Sequence, residues 1–395
     1  MATASANKPW WENDVTPGLL LFVTAVASFL LMNSPLEHDF EHLLHMPVGF
    51  TLGDINPSTS LAHFINDGLM ALFFLYVGLE LKRETIEGPF QSPRKAASPL
   101  CAAMGGMVVP AILFMAVIGF HGPFMRGWAI PMATDIAFAI GVLSLLGSRI
   151  PKELRLFLLA LAIIDDLGAI LVIAVFYTTD LQGWALGGGA VTFIAMLMLN
   201  RVGVKKLLPF WLLALVLWAF VYASGLHATI AGVLAAMAIP MRRKDGRSPL
   251  IAAEHTLKPW VQLAILPVFA LANAGAPLHS EGLSALSHPI SLGILAGLVL
   301  GKPIGVIAGV MAARVLFKQE PPVTGRPMLG AAMLTGIGFT MSLFIGSLAF
   351  GGESDLAGPV RLGVLVASML SGIGGYFLLS GSLPKASGKA AAATP

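Results

Sequence analysis

The chain has 395 residues, of which 56% are hydrophobic and only 11% charged, with a mean hydropathy of +0.82. A soluble globular domain is excluded, because too few polar residues remain to cover its surface. The single cysteine, Cys101, excludes an intrachain disulfide framework and a thiolate metal site, and the pI near 9.0 reflects where the basic residues lie rather than a nucleic-acid partner.

In chain order, apolar stretches punctuated by Gly, Pro and charge predict twelve membrane spans. The opening MATASANKPWWENDVTPG has no strongly basic n-region and no convincing cleavage site. The first span, 17–33, is therefore expected to be retained. The others fall at 61–82, 96–119, 124–146, 154–177, 182–200, 206–222, 226–240, 259–276, 289–312, 328–350 and 359–380. With the N-terminus inside, 21 of the 24 Lys and Arg residues lie in cytoplasmic segments. Only Arg126 and Arg361 fall outside, and Lys302 lies within a span. This bias predicts both termini in the cytoplasm and supports the span count, which one missed helix would scramble. The expected organisation is a cytoplasmic segment 1–16, one transmembrane domain 17–383 and a disordered cytoplasmic tail 384–395.

The long connection 34–60 is expected outside. Its PVGFTLGDIN (47–56) alternates Val48, Phe50 and Leu52 with Gly49, Thr51 and Gly53. That pattern predicts a short hairpin with an open edge, able to pair with a second subunit. His38, His42 and His45 precede it beside Asp39 and Glu41, and a solvated loop explains them better than a metal site.

The fifth span, in LRLFLLALAIIDDLGAILVIAVFY (154–177), carries adjacent Asp165 and Asp166 at its middle. Each carboxylate at that depth costs roughly 2.5–3.5 kcal/mol on insertion scales, so the pair must face protein or a water-filled cavity. Such a pair marks a proton or cation pathway by default. The fourth span, GWAIPMATDIAFAIGVLSLLG (127–147), has Pro131 removing a backbone donor and Asp135 at mid-depth. The eleventh, MLTGIGFTMSLFIGSLAFG (333–351), has Gly336 and Gly338 near its midpoint. These two are seven spans apart and so enter from opposite sides. Interrupted spans in corresponding, inverted halves point to a secondary-transporter site.

Broken helices place partial charges at mid-membrane. Asp135 is placed to balance the N-terminal ends, and Lys302, in LGKPIG (300–305), the C-terminal ends. Hard cations such as sodium and lithium favour oxygen ligands, so protons and a small cation would compete for the same carboxylate oxygens. On this reading Asp166 is the direct ligand and Asp165 also exchanges with Lys302. Two protons per sodium would couple transport to voltage by about 2.3 kcal/mol per 100 mV.

ATDIAF (133–138), AIIDDLGAI (162–170), LGKPIG (300–305), TGIGFTMSLFIGSLAFG (335–351), FFLYVGLELKRE (73–84) and SGLHATIAG (224–232) resemble the bacterial NhaA family of sodium/proton antiporters. The likeness runs in order from about residue 12 to 380. The rule about paired interrupted spans draws on this same family, so it adds no independent weight. The resemblance implies that Asp165 and Asp166 bind Na+ or Li+ and protons with Thr134 nearby, while Asp135 and Lys302 compensate the crossed helix ends. It implies an all-α inner-membrane protein of twelve helices in inverted repeats, with no cofactor. It further implies a homodimer made through the outer hairpin, residues 45–58. The implied function is electrogenic exchange of cytoplasmic Na+ or Li+ for external protons, serving pH and sodium homeostasis. A pH-responsive cluster of Glu80, Arg83, Glu84, Glu254 and His255 is implied at the cytoplasmic face, although Glu80 and Arg83 also fit an ordinary solvated helix end. In AEHTLKPW (253–260) Lys258 stands where some relatives carry histidine, so the pH response transfers less directly than the transport site. His227, after the outer Ser224-Gly225, is either pH-related or an interfacial histidine.

Three rivals compete. A retinal-type receptor would use Lys302 with an aspartate counter-ion, and twelve spans with an Asp-Asp pair argue against it. An intramembrane aspartyl protease would use Asp135 and Asp166, but no protease motif accompanies them. A cation-coupled symporter of an organic anion is the serious alternative. The shortage of polar residues for a larger solute favours bare-cation exchange.

Overall fold

The computed structural model describes residues 15–49, 58–88, 93–178, 181–204, 206–241, 248–278, 282–351 and 355–383. Six helices are each long and apolar enough to cross a bilayer: Leu61–Ile86, Ala96–Ile118, Lys152–Phe176, Gly183–Val202, Pro289–Phe317 and Ala357–Ser382. Two further spans are broken pairs. Pro123–Met132 and Ile136–Ser144 meet at 40°, and Arg326–Leu334 and Phe339–Phe350 meet at 44°. Shorter helices Val15–Leu31, Leu208–Ala223 and Thr229–Ala238 and the helical stretch 249–273 complete the bundle. Each predicted span coincides with a helix or a broken helix.

Several local readings are corrected. The connection 34–60 is not a plain loop, because Glu37–His45 forms a surface helix with acids in its first turn and histidines in its last, the charge order a helix dipole favours. Its three histidines therefore lie on a helix, and no group of three or more His, Cys, Asp or Glu among the described residues is placed to hold a metal. The hairpin is wider than its sequence pattern suggests. Pro47–Gly49 pairs antiparallel with Ser58–Ser60, in register Pro47 opposite Ser60. The alternating Phe50 and Leu52 lie outside the described residues, as do the segment 1–14 and the tail 384–395. The ninth span begins at Pro249, ten residues early, because Ser248 caps it by accepting from the Ile251 N–H. Glu254, His255 and Lys258 therefore sit on the helix and not before it.

Within the tenth span a π-helical turn, Ala296–Gly301, precedes Lys302 and Pro303. Pro303 has no N–H for the carbonyl four residues back, and the wider turn absorbs the mismatch. The ninth span repeats the device at Val261–Ile265, before Pro267.

Small residues let these helices close up. A Cβ on Gly305 would strike the Gly105 backbone, and one on Gly301 would come within 2.6 Å of Pro110 Cα. Gly297 similarly faces Pro131, and Gly293 faces Phe114. The third and tenth spans are thereby locked together, which fixes the depth of Lys302. In the sixth span Gly188 packs on Phe220, while Gly187 faces open space and serves no packing role.

Candidate ion site at the crossing of two broken helices

The break in the fourth span follows Pro131, where a 3-10 helix ends and Ala133 turns extended. In the eleventh, the chain leaves Arg326–Leu334 at Thr335 and resumes at Phe339. Gly338 has an ordinary φ of −87°, so glycine is not needed there for backbone conformation. It is needed for approach: a Cβ on Gly338 would lie 3.0 Å from Leu298 Cδ2, and one on Gly336 would lie 2.6 Å from Ser371 Oγ. The two breaks touch, with the Asp135 N–H donating to the Ile337 carbonyl at 2.7 Å.

Four helix ends converge here, and each finds a partner. Asp135 caps both N-termini. Its Oδ1 accepts from the Phe138 N–H at 2.9 Å, and its Oδ2 accepts from the Thr340 N–H at 3.2 Å and the Thr340 hydroxyl at 2.5 Å. One carboxylate thus faces the positive ends of two helices. The C-terminal carbonyls are met by donors. The Lys302 ammonium bonds the Met132 carbonyl, and the Thr335 carbonyl lies 2.8 Å from Thr134 Oγ1. The Ser342 hydroxyl donates to the Ile130 carbonyl at 2.7 Å, and Ser368 Oγ accepts from the Phe339 N–H at 3.1 Å.

Asp165 and Asp166 lie beside this crossing on the continuous helix Lys152–Phe176, both fully buried. Asp165 Oδ2 accepts from Lys302 and lies 2.8 Å from Thr134 Oγ1. Thr134 has a single hydroxyl proton, so it serves either Asp165 or the Thr335 carbonyl at one time. Asp165 Oδ1 and both oxygens of Asp166 have no hydrogen-bond partner among the described residues. Buried acceptors are almost always paired in proteins, so three such oxygens on successive residues single this place out as the candidate site.

The structure gathers Thr134, Asp135, Asp165, Asp166 and Lys302 around Pro131, Gly336 and Gly338. The residues expected to form the pH-responsive cluster divide. Arg83 Nε donates to Glu254 at 2.8 Å and its NH1 to Glu84 at 2.6 Å, with Glu80 3.8 Å away. His255 is exposed on the same helix as Glu254 and makes no ion pair with this group among the described residues. His227 lies elsewhere, its Nε2 2.9 Å from the Tyr177 carbonyl. It lies just before the helix Thr229–Ala238, at the end opposite Met237, whose carbonyl accepts from Lys82. Glu80 lines a cavity of about 160 Å³ with Arg155, Lys258 and Gln262, and Phe73 and Ile136, the residue after Asp135, line it too.

Sequence reasoning missed Thr340, Thr335, Ser342 and Ser368, which satisfy the broken backbone. Thr340 was visible as the threonine of GIGFTMS, though nothing in its spacing says that it reaches Asp135.

Membrane-crossing helices, two of them broken and touching beside buried carboxylates and a lysine, define an ion-coupled membrane carrier. A family model described as Na+/H+ antiporter 1 matches residues 8–379. The Na(+)/H(+) antiporter NhaA of Shewanella frigidimarina is 48% identical over 383 residues, covering 96% of this chain and 97% of that protein. The one from Pseudomonas putida strain GB-1 is 47% identical over 371 residues, covering 93% and 95%. The sodium proton antiporter MjNhaP1 of Methanocaldococcus jannaschii is a distant structural likeness, with a TM-score of 0.48 and 17% identity over 91% of this chain and 92% of that one. The chain belongs to the NhaA family of sodium/proton antiporters, multi-pass membrane transporters and not enzymes.

Proposed function

We propose that this antiporter moves cytoplasmic Na+ or Li+ out against external protons electrogenically, with cation and protons competing for Asp165 and Asp166. The supporting observation is the set of three buried, unpaired carboxylate oxygens beside Thr134 and Lys302. Both Asp166 oxygens and Asp165 Oδ1 offer a hard-oxygen site to a small cation. A cation bound between the two carboxylates competes with Lys302 for Asp165, and Lys302 keeps the Met132 carbonyl when it lets go. Protonation of the pair restores a neutral site, so either the cation or the protons cross, and an empty charged site does not. Asp135, committed to two helix N-termini, stays in place as fixed compensation.

The bias of basic residues supports cytoplasmic N- and C-termini, with the hairpin outside. Among the described residues the sheet has two strands, and its open edge supports a homodimer.

The test is a proton-flux assay in vesicles carrying a proton gradient. Sodium or lithium collapses the gradient and potassium acts weakly. No response to either small cation from folded protein ends this reading, and a response only with an organic anion present would favour a symporter.

The cluster around Arg83 is the proposed seat of pH response. Exchange rises with alkalinity, and raised sodium partly overcomes the acid inhibition that arises by competition at the pair. Glu254→Gln removes one of Arg83's partners and a negative neighbour of the other carboxylates, so the profile moves toward acid at saturating sodium. His255→Ala, at an exposed position, leaves it unmoved. Coincident profiles for Glu254→Gln and parent would show that competition at the pair suffices.

A further inference from the structure

At the hairpin end, two cavities share one side chain. The first, of about 170 Å³, is lined by Met32, Glu41, Leu44, His45, Gly275 and Arg361. The second, of about 20 Å³, is lined by Arg361 together with Asn273, Leu343, Gly346, Ser347 and Val360. Arg361 is half-buried where the two meet, and its NH1 donates to the Gly275 carbonyl at 3.0 Å. The second cavity runs along the helix Phe339–Phe350, the helix that begins at the ion site. Ser347 is seven residues beyond Thr340, so about 10 Å of helix separates this cavity from the Asp135 contact.

We infer that Arg361 is the external gate of the transport path, a guanidinium that closes the inner cavity to cations and opens it by moving outward toward Glu41. This rests on the proposed orientation, with the hairpin end outside. A guanidinium keeps its charge throughout the working range of pH, so it repels a sodium ion sterically accommodated beside it. Glu41 is exposed on the surface helix Glu37–His45 and lines the outer cavity, where it offers the opposite charge. Of the two cavities that share Arg361, the one lined by Glu41 is roomy, at about 170 Å³, and the one along the helix Phe339–Phe350 is only about 20 Å³. Arg361 is a positioning residue here: it touches neither carboxylate of the pair.

The experiment places a cysteine at Ser347 in a Cys101→Ser background, in oriented vesicles. A small cationic, membrane-impermeant thiol reagent is added to one face at a time. From the hairpin face, Arg361→Ala speeds labelling by about tenfold, the factor that goes with removing one barrier contact of ordinary strength. Arg361→Lys, which keeps the charge on a slimmer head, falls between. Glu41→Gln, a surface change that leaves folding intact, removes the outward attraction and slows labelling. An anionic reagent of the same size gains less from Arg361→Ala than the cationic one does. Equal labelling rates in parent, Arg361→Ala and Glu41→Gln would overturn the gate. Rates that change as expected but only from the cytoplasmic face would keep Arg361 as a gate and overturn the orientation instead.

Discussion

Asp166→Asn abolishes exchange, with turnover below about one-hundredth of the parent value, the scale on which losing a positioned proton-transfer group is felt. An amide has the shape of the carboxyl but cannot take up and release the proton that competes with sodium. Neither Asp166 oxygen is committed to a protein donor, so the substitution breaks no internal hydrogen bond and the fold survives. Loss of activity in a folded variant therefore reads on chemistry. Asp165→Asn behaves differently, because Asp165 is already tied to Lys302 and lies beside Thr134. One titrating carboxylate remains, and exchange of one proton per sodium moves no net charge. The measurement is sodium-driven proton flux with and without an imposed membrane potential. The parent responds to voltage at about 2.3 kcal/mol per charge per 100 mV, and Asp165→Asn retains a smaller flux that ignores voltage. Full voltage-sensitive exchange in Asp166→Asn would end the competition mechanism.

Much of this was legible in the sequence for a physical reason: a bilayer forbids charge, so every tolerated charge stands out. Asp135, Asp165, Asp166 and Lys302 can be found without a structure because almost nothing else ionisable lies at their depth. The spans are equally plain, since apolar length and the distribution of Lys and Arg give two separate readings of the same topology. What was not legible is how the partners divide. Asp135 and Asp165 are both mid-membrane aspartates, yet one caps two helix N-termini and the other holds a lysine. That division depends on the relative placement of Gly338, Thr340 and Ile337, which spacing along one chain does not encode.

Boundary features were missed where local chemistry overruled apolar pattern. Ser248 extended the ninth span by a cap, and the charge order of Glu37–His45 made a helix from a segment too polar to read as one. The π-helical turns were invisible because they answer to Pro267 and Pro303 meeting tertiary contacts. His255 stands outside the Arg83 ion pairs for a similar reason. Adjacent residues on a helix point about 100° apart, so Glu254 reaching Arg83 sends His255 elsewhere.

Lys302→Ala lowers thermal stability by about 3–5 kcal/mol, the cost of removing one partner from a buried charge pair. Two groups lose their donor at once: Asp165 Oδ2 and the Met132 carbonyl at the end of the 3-10 helix. The vacated space also faces Gly106, whose Cα would support a Cβ only 3.7 Å from the lysine stem, so apolar packing is lost with the charge. Lys302→Met separates the two effects. It keeps most of the stem and restores the packing, while leaving both acceptors without an ammonium. The two variants are compared by thermal unfolding in detergent, alongside transport. If charge pairing dominates, Met and Ala lose similar stability; if packing dominates, Met recovers most of it. An arginine at 302 keeps the charge but presents a planar fork that the tight contact between the third and tenth spans has no room to turn, so it is folded less well than lysine. A stability and a pH profile of exchange both unchanged in Lys302→Ala would show that the lysine is neither the structural partner of Asp165 nor its competitor for the transported ion.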